Sequence, residues 1–149
     1  MYKTILVPLD GSPLAETILP HVEELAGLCG ASVIFLNVIQ LPHIMDKGTT
    51  YEGLPQKTAA DVDAQEAEAR RYLDELTARK AAKGLHVRGQ VEYGPIVATI
   101  LRVAAEEAAD LIAMASHGRG GLTDVYYGSV AAGILQRIDR PLLIVRGQK

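Results

Sequence analysis

The sequence has one cysteine, one phenylalanine, no tryptophan and no excess of positive charge. Because Cys29 is alone, an internal disulfide and a cysteine-based zinc site are both excluded. A formal net charge of −3 gives no attraction to a nucleic-acid backbone or an anionic membrane surface. No apolar run approaches the ~20 residues of a membrane-spanning helix, and Met1 leads into an apolar strand pattern rather than a signal peptide. These absences predict a cytoplasmic protein that binds neither nucleic acid nor membrane.

Several common motifs of nucleotide-binding and hydrolytic enzymes are also missing. No Gly-Lys-Ser or Gly-Lys-Thr occurs, which excludes a P-loop NTPase. No Gly-x-Gly-x-x-Gly follows the first apolar run, and no Gly-x-Ser-x-Gly elbow is present. The four histidines have no metal-ligand spacing. A dinucleotide oxidoreductase, an elbow-type hydrolase and a histidine metal site are therefore not expected.

The sequence does contain a regular alternation of apolar runs and helical patterns. Runs rich in Val, Ile and Leu predict strands at residues 4–9, 32–39, 86–93, 111–115 and 141–146. Four of these runs are nearly continuous in apolar residues, as expected for parallel strands covered by helices on both faces. The third run alternates apolar and polar residues, which indicates a strand near one edge. A length of 149 residues with 48% hydrophobic content suits one domain covering the whole chain.

Helical patterns separate the predicted strands, beginning at Ser12, Ala59, Pro95 and Gly128. Ser12 is expected to be the N-cap of the first helix, and Pro20 is expected to kink that helix. On the third helix, Ile96, Ile100, Ala104 and Ala108 share one side. The alternation of strand and helix predicts a single open five-stranded parallel α/β sheet with helices on both faces. Residues 40–58 are one long irregular stretch, which is typical of a lid or an interface.

Ligands of an open α/β sheet bind beyond the carboxyl ends of the strands, near the point where the strand order reverses. The first strand is followed by Asp10-Gly11-Ser12, so a carboxylate comes just before a helix. Asp10 could accept a hydrogen bond from a ribose hydroxyl or help to hold a metal ion. Alternatively, Asp10 and Ser12 only cap the helix, and Gly11 permits the turn.

The fourth strand is followed by a glycine-rich segment at residues 116–122, and Gly128-Ser129 then opens the last helix. Three glycines within four residues let the backbone approach a ligand, and the amides at a helix start attract phosphate. The Ser129 hydroxyl could donate to a phosphate oxygen, and Arg119 could add positive charge. The alternative is a glycine-rich loop followed by a capped helix, without a ligand.

Residues 5–12, 114–129 and 140–145 carry a resemblance to the universal stress protein family that covers the whole chain. The ATP-binding branch of that family has a Gly, two residues, a Gly, nine residues, and then Gly-Ser or Gly-Thr. Gly118, nine intervening residues and Gly128-Ser129 match this pattern. Ala115 stands in place of the first glycine, and an alanine fits there only if the backbone needs no positive φ and the methyl group has room.

The resemblance implies a sheet of order 3-2-1-4-5 and a homodimer paired through the strand at 141–146. It implies ATP with Mg²⁺ as the ligand and a regulatory, stress-response role. The implied nucleotide-binding residues are Pro8, Leu9, Asp10, Val38, Ala115, Ser116, His117, Gly118, Arg119, Gly121, Gly128, Ser129 and Val130. Among these, Asp10 would meet the ribose or the metal-phosphate region, the backbone of Val38 would meet the adenine, and residues 116–121 and 128–130 would enclose the phosphates.

No catalytic residue is assigned, and two alternatives stay open. The first is a slow ATPase, for which Asp10 and His117 are the only candidate bases. The second is a nucleotide-free protein-interaction module, which Ala115 favours and the spacing from Gly118 to Ser129 opposes.

Overall fold

The computed structural model describes residues 1–40, 59–117 and 128–147, except the side chain of His117. The strands are β1 (Thr4–Pro8), β2 (Ser32–Ile39), β3 (His86–Tyr93), β4 (Leu111–His117) and β5 (Leu142–Gly147). The helices are α1 (Leu19–Cys29), α2 (Ala59–Ala81), α3 (Ile96–Glu106) and α4 (Ser129–Arg137), and a 3-10 turn covers Ala15–Ile18. Most of the irregular stretch, at 41–58, and the glycine-rich residues 118–121 lie outside the described residues.

The five strands form one parallel sheet in the order β3-β2-β1-β4-β5, which confirms the predicted fold. The strands predicted at 32–39 and 86–93 match β2 and β3 residue for residue. β3 lies at one edge, as its alternating pattern predicted, and β5 lies at the other. The strand order reverses between β1 and β4, so the carboxyl ends of these two strands meet in the middle of the sheet.

Each face of the sheet carries its own hydrophobic core. One core contains Phe35 and packs against α1 and α2, where Leu73 is buried. The other contains Ile100 of α3 and Ile134 of α4. The neighbouring residues Ile5 and Leu6 of β1 are both 0% exposed and belong to different cores. This two-sided burial is why the central strands are apolar at consecutive positions. Within the described ranges, no helix is long and apolar enough to cross a membrane.

The first helix differs from the prediction. Ser12 does not cap an α-helix: a 3-10 turn follows it, and Ser12 Oγ accepts a hydrogen bond from the amide of Ala15, the first residue of that turn, at 3.1 Å. α1 begins only at Leu19, so Pro20 lies within its first turn. An amide is not needed for helical hydrogen bonding at that position. Pro20 therefore helps to start α1 and does not kink it.

The apolar side of the third helix is also shorter than predicted. Ile100 and Ala104 are buried, but α3 ends at Glu106 and Ala108 lies beyond it, exposed and with φ of +52°. The chain turns there toward β4, so Ala108 cannot continue the helical stripe. Arg140 closes this corner by donating hydrogen bonds from Nη1 to the carbonyls of Ala104 at 2.9 Å and Ala109 at 2.7 Å.

Candidate functional site

A cleft of about 160 Å³ opens at the carboxyl ends of β1, β2 and β4, beside the start of α4. The predicted site residues that line it are Pro8, Leu9, Asp10, Val38, Ala115, Ser116, Gly128, Ser129 and Val130. His117 is the last residue of β4. Gly118, Arg119 and Gly121 fall outside the described residues. The fold thus brings together three predicted segments that are far apart in sequence.

Sequence reasoning missed most of the apolar wall of this cleft. The additional lining residues are Ser12, Leu14, Ala15, Leu36, Ile96, Ile100, Met114 and Ala131. Ser12 had been considered only as a cap, and the apolar residues follow the same periodic patterns as the core. The pattern shows which side of an element is buried, but it does not show that this side continues past the sheet into a cleft. The four-residue spacing of Ile96 and Ile100 at the start of α3 is the one signal that could have indicated them.

Asp10 and Ser12 form a hydrogen-bonded turn at the first wall of the cleft. Asp10 Oδ1 accepts a hydrogen bond from the Ser12 amide at 2.9 Å, and Gly11 between them has φ of +86°, which favours glycine. Gly11 therefore permits the turn, as the capping interpretation proposed, but Asp10 and Ser12 hold this turn and do not cap an α-helix. Asp10 is nevertheless exposed and lines the cleft, so its second oxygen, Oδ2, remains accessible to a ligand.

The opposite wall is the N-terminus of α4. Gly128 is the N-cap residue and has no side chain with which to cap the helix. The carbonyl of Gly128 accepts its helical hydrogen bond from Ala132, at 2.9 Å. The amides of Ser129, Val130 and Ala131 come before this bond and have no acceptor within the helix. They give this wall partial positive charge, which suits an anionic group.

The floor of the cleft is the end of β4, where the prediction needs correction. Ser116 and His117 were placed in a loop, but they are strand residues, because the ladder continues to Arg146 and Gly147 of β5. Ser116 is only 4% exposed. Ala115 also lies in the strand, and in the described part of the chain the only non-glycine residue with positive φ is Ala108. The backbone therefore does not require glycine at position 115.

The hydrogen-bond pattern of β2 with its neighbours β1 and β3 directs some backbone groups of β2 toward the cleft. The carbonyl of Leu36 accepts a hydrogen bond from the amide of Leu9 on the β1 side at 2.8 Å, whereas that of Ile39 accepts from Gly94 on the β3 side at 3.0 Å. Alternate residues of a central parallel strand bond to opposite neighbours. Val38, two residues after Leu36, therefore directs its N–H and C=O toward the β1 side, where β1 has already ended.

The charge behind the Asp10 wall is negative. Burial, together with the carboxylates of Glu16 and Asp10, raises the pKa of Tyr72 to about 12, so this phenol stays neutral. Its hydroxyl is buried beside Glu16 without a well-formed hydrogen bond. The Glu16 carboxylate lies 3.7 Å from Arg79, which is largely exposed. Arg79 partly offsets the charge of Glu16, so the negative charge at the cleft itself comes from Asp10.

The residues of the cleft suit binding better than proton transfer. Asp10 is the only titratable side chain among the described lining residues. The described ranges contain no cluster of three or more histidine, cysteine or acidic side chains that could hold a metal ion. A metal here would need most of its oxygen ligands from the bound molecule and from water. Mg²⁺ commonly binds in this way, through one or two carboxylates and a phosphate.

Comparisons with known proteins agree with this fold and this chain length. Residues 1–146 match the model of the Universal stress protein family. A universal stress protein of Methanocaldococcus jannaschii is 28% identical, over 98% of this chain and 96% of the relative. A crystal structure of a family member from Burkholderia pseudomallei is 28% identical, with a TM-score of 0.74 and coverage of 98% and 97% of the two chains. A structure of the Archaeoglobus fulgidus protein in complex with dAMP has a TM-score of 0.65 at 22% identity, covering 97% of this chain and 98% of that one.

Proposed function

The chain belongs to the universal stress protein family, and we propose that it binds ATP with Mg²⁺ in this cleft and acts as a nucleotide-dependent regulatory homodimer in the cytoplasm. One observation carries the proposal. The acidic turn at Asp10 and the N-terminus of α4, whose N-cap residue Gly128 has no side chain, face the same cleft, whose other half is apolar. A nucleotide has the matching sequence of groups, with an apolar base, a hydroxylated sugar and an anionic phosphate chain.

The base belongs in the apolar half, among Leu36, Ile96, Ile100 and Met114. There the N–H and C=O of Val38 supply one donor and one acceptor side by side. Adenine presents the complementary pair along one edge, an acceptor at N1 and a donor at N6. A backbone pair of this kind can recognise adenine whatever side chain stands at position 38.

The sugar and the phosphates belong in the polar half. Asp10 Oδ2 can accept a hydrogen bond from a ribose hydroxyl or take part in binding Mg²⁺. The Ser129 hydroxyl and the first amides of α4 can donate to phosphate oxygens. Ser116 lies in the floor of the cleft beneath this position. Mg²⁺ bound to the phosphates would reduce the repulsion between them and the Asp10 carboxylate.

Nucleotide binding would exert its regulatory effect at two places, the edge of the sheet and the irregular stretch after β2. β5 lies at the edge and carries Leu142, Leu143, Ile144 and Val145, none of them fully buried. An edge strand presents unpaired backbone groups to a second chain, which supports a dimer formed through β5. Residues 40–58 follow the strand that carries Val38, so a bound base would lie beside their starting point.

The dAMP complex of the Archaeoglobus fulgidus protein supports an adenine nucleotide as the ligand class, since that protein has the same fold and binds dAMP. The ligand of this chain can be identified directly by mass spectrometry of small molecules released on denaturing the gently purified protein. Thermal unfolding should then shift upward with ATP and Mg²⁺, because a ligand that binds only the folded state stabilises it by ~2.7 kcal/mol at 100 times its Kd. No released nucleotide and no thermal shift at millimolar ATP would contradict the proposal.

A further inference from the structure

Gly147 contacts the cleft wall from outside the cleft. It is the last residue of the edge strand β5, it is buried, and it does not line the cleft itself. A Cβ atom at Gly147 would lie 2.9 Å from Cγ of Leu14 and closer still to its Cδ1. Leu14 is a lining residue of the cleft. The Leu14 side chain therefore has Gly147 as a neighbour at the wall it forms.

The backbone of Leu14 is held in place. Its carbonyl accepts hydrogen bonds from the Thr17 hydroxyl at 2.7 Å and from the Thr17 amide at 3.1 Å. Leu14 is also the N-cap residue of the 3-10 turn that follows the Asp10–Ser12 hydrogen bond. A Cβ at Gly147 would overlap Cγ as well as a terminal methyl, so rotation about χ2 alone cannot relieve it. Either χ1 of Leu14 must change, or the turn must shift.

The conformation of Gly147 does not itself require glycine. Its φ lies outside the left-handed region, so an alanine could adopt the same backbone conformation. The closest atoms around the missing Cβ belong to Leu14, and the next is the carbonyl oxygen of Ser116 at 3.4 Å, an ordinary contact. Space for Leu14 is therefore the constraint that the fold places on position 147.

We infer that Gly147 is a positioning residue of the cleft: it seats Leu14 and so keeps the wall from Asp10 to Ala15 in the conformation that receives the ligand. The ligand named in the test rests on the proposed function. A consequence is that the end of the edge strand β5 is linked to the nucleotide cleft through this side-chain contact as well as through its pairing with β4. A change in the packing of either one is transmitted to the other.

The test is a double-mutant cycle of Gly147→Ala and Leu14→Ala. The matched control is Gly27→Ala on α1, where a Cβ meets nothing within 4 Å and φ is not left-handed. Two quantities are measured for each variant. One is the affinity for ATP with Mg²⁺ by calorimetry, and the other is hydrogen exchange of the Ala15 amide, which donates to Ser12 Oγ, by NMR.

Gly147→Ala is expected to lower ATP affinity about tenfold, equivalent to ~1.4 kcal/mol, and to speed exchange at Ala15. In the Leu14→Ala background the same Gly147→Ala change should alter neither quantity, because the overlapping side chain is gone. Gly27→Ala should alter neither. The loss of the Gly147→Ala effect in the Leu14→Ala background distinguishes positioning through Leu14 from a general loss of stability. A general loss of stability would appear in both backgrounds.

The outcomes separate this inference from the proposed function. If the parent protein binds ATP and Gly147→Ala matches it in affinity and in exchange at Ala15, the inference is overturned while the proposed function stands. If the parent binds no adenine nucleotide, the proposed function fails. The double-mutant cycle can then still be measured by hydrogen exchange of the Ala15 amide, and that result alone supports or overturns the inference. If Gly147→Ala does not fold, the double variant decides: folding like Leu14→Ala supports the inference, and failure to fold overturns it.

Discussion

The Leu9 amide donates a hydrogen bond to the Leu36 carbonyl at 2.8 Å, and the pairing of β1 with β2 ends at Leu36. β2 nevertheless continues to Ile39, paired only with β3. The early end of β1 thus exposes one donor and one acceptor of Val38 at the cleft. Under the proposed function, this difference of a few residues in strand length creates the backbone groups that would recognise the base.

The first prediction concerns that donor and acceptor. ATP should bind at least about tenfold more tightly than ITP, because hypoxanthine has a donor at N1 and an acceptor at O6 and would face like groups on Val38. Calorimetric titration with both nucleotides, in the presence of Mg²⁺, measures the ratio. The same ratio of affinities is measured for AMP and IMP, which lack the terminal phosphates, so that these phosphates cannot contribute to the difference. Equal affinities within each pair would show that the adenine edge is not recognised here.

The second prediction separates the two roles of Asp10. Asp10→Asn keeps an oxygen that can accept from the Ser12 amide but loses the charge. Its stability should stay close to that of the parent, while the enhancement of ATP affinity by Mg²⁺ is lost. Asp10→Ala should lose that enhancement and also ~1 kcal/mol of stability, since the turn loses its acceptor. Urea unfolding and titrations with and without Mg²⁺ provide both measurements, and a full Mg²⁺ effect in Asp10→Asn would exclude a metal role.

The third prediction concerns Ser129, which is exposed at the start of α4. Ser129→Ala should lower ATP affinity about tenfold, because a hydrogen bond to a charged phosphate is worth ~1.5–3 kcal/mol. Thermal stability without ligand should not fall, since alanine has a higher helix propensity than serine. Ser32→Ala, at the exposed start of β2 and the opposite end of the sheet, is the matched control. An unchanged ATP affinity in Ser129→Ala would remove the hydroxyl from the site.

The fourth prediction concerns pH and the contact between α1 and α2. A hydrogen bond from Lys80 and the charges of Lys80 and Lys83 outweigh burial and hold the pKa of Glu23 below its usual 4.5. A carboxylate with a lowered pKa in the folded state stabilises the fold above the unfolded pKa, and this stability is lost as pH falls through the folded pKa. Glu23→Gln should therefore cost up to ~1 kcal/mol near neutral pH, reduced by partial exposure.

That cost should shrink between neutral pH and a second, acidic pH below the usual pKa of a glutamate, because the parent carboxylate becomes protonated as the pH falls through its lowered pKa. Urea unfolding of parent and variant at both pH values measures it. Glu24→Gln, the exposed neighbour on the same helix, is the control and should show a smaller difference at neutral pH. A Glu23→Gln difference that stays the same at low pH would mean that the ion pair with Lys80 is not its source.

Much of the fold could be predicted because its signals are local. β2 and β3 were predicted with their observed bounds, since apolar runs and period-two alternation are set by neighbouring residues. The strand order and the choice of Val38 came from the family resemblance, whereas Asp10 and Ser129 followed from the residues themselves, and the order is confirmed. Pro20 was misinterpreted because its effect depends on where α1 begins, and that start is set by the 3-10 turn before it.

By itself, the sequence determined the alternation of strands and helices, the two-sided burial of the central strands and the acidic turn at Asp10. These follow from side-chain periodicity and from residues adjacent in the chain. Only the tertiary structure decided that Val38 turns its backbone groups to the cleft, that Ser116 lies in a strand, and that Leu14 rests on Gly147. Each of these depends on where a neighbouring strand ends or how closely a distant segment approaches. Neither can be predicted from the order of residues along one segment.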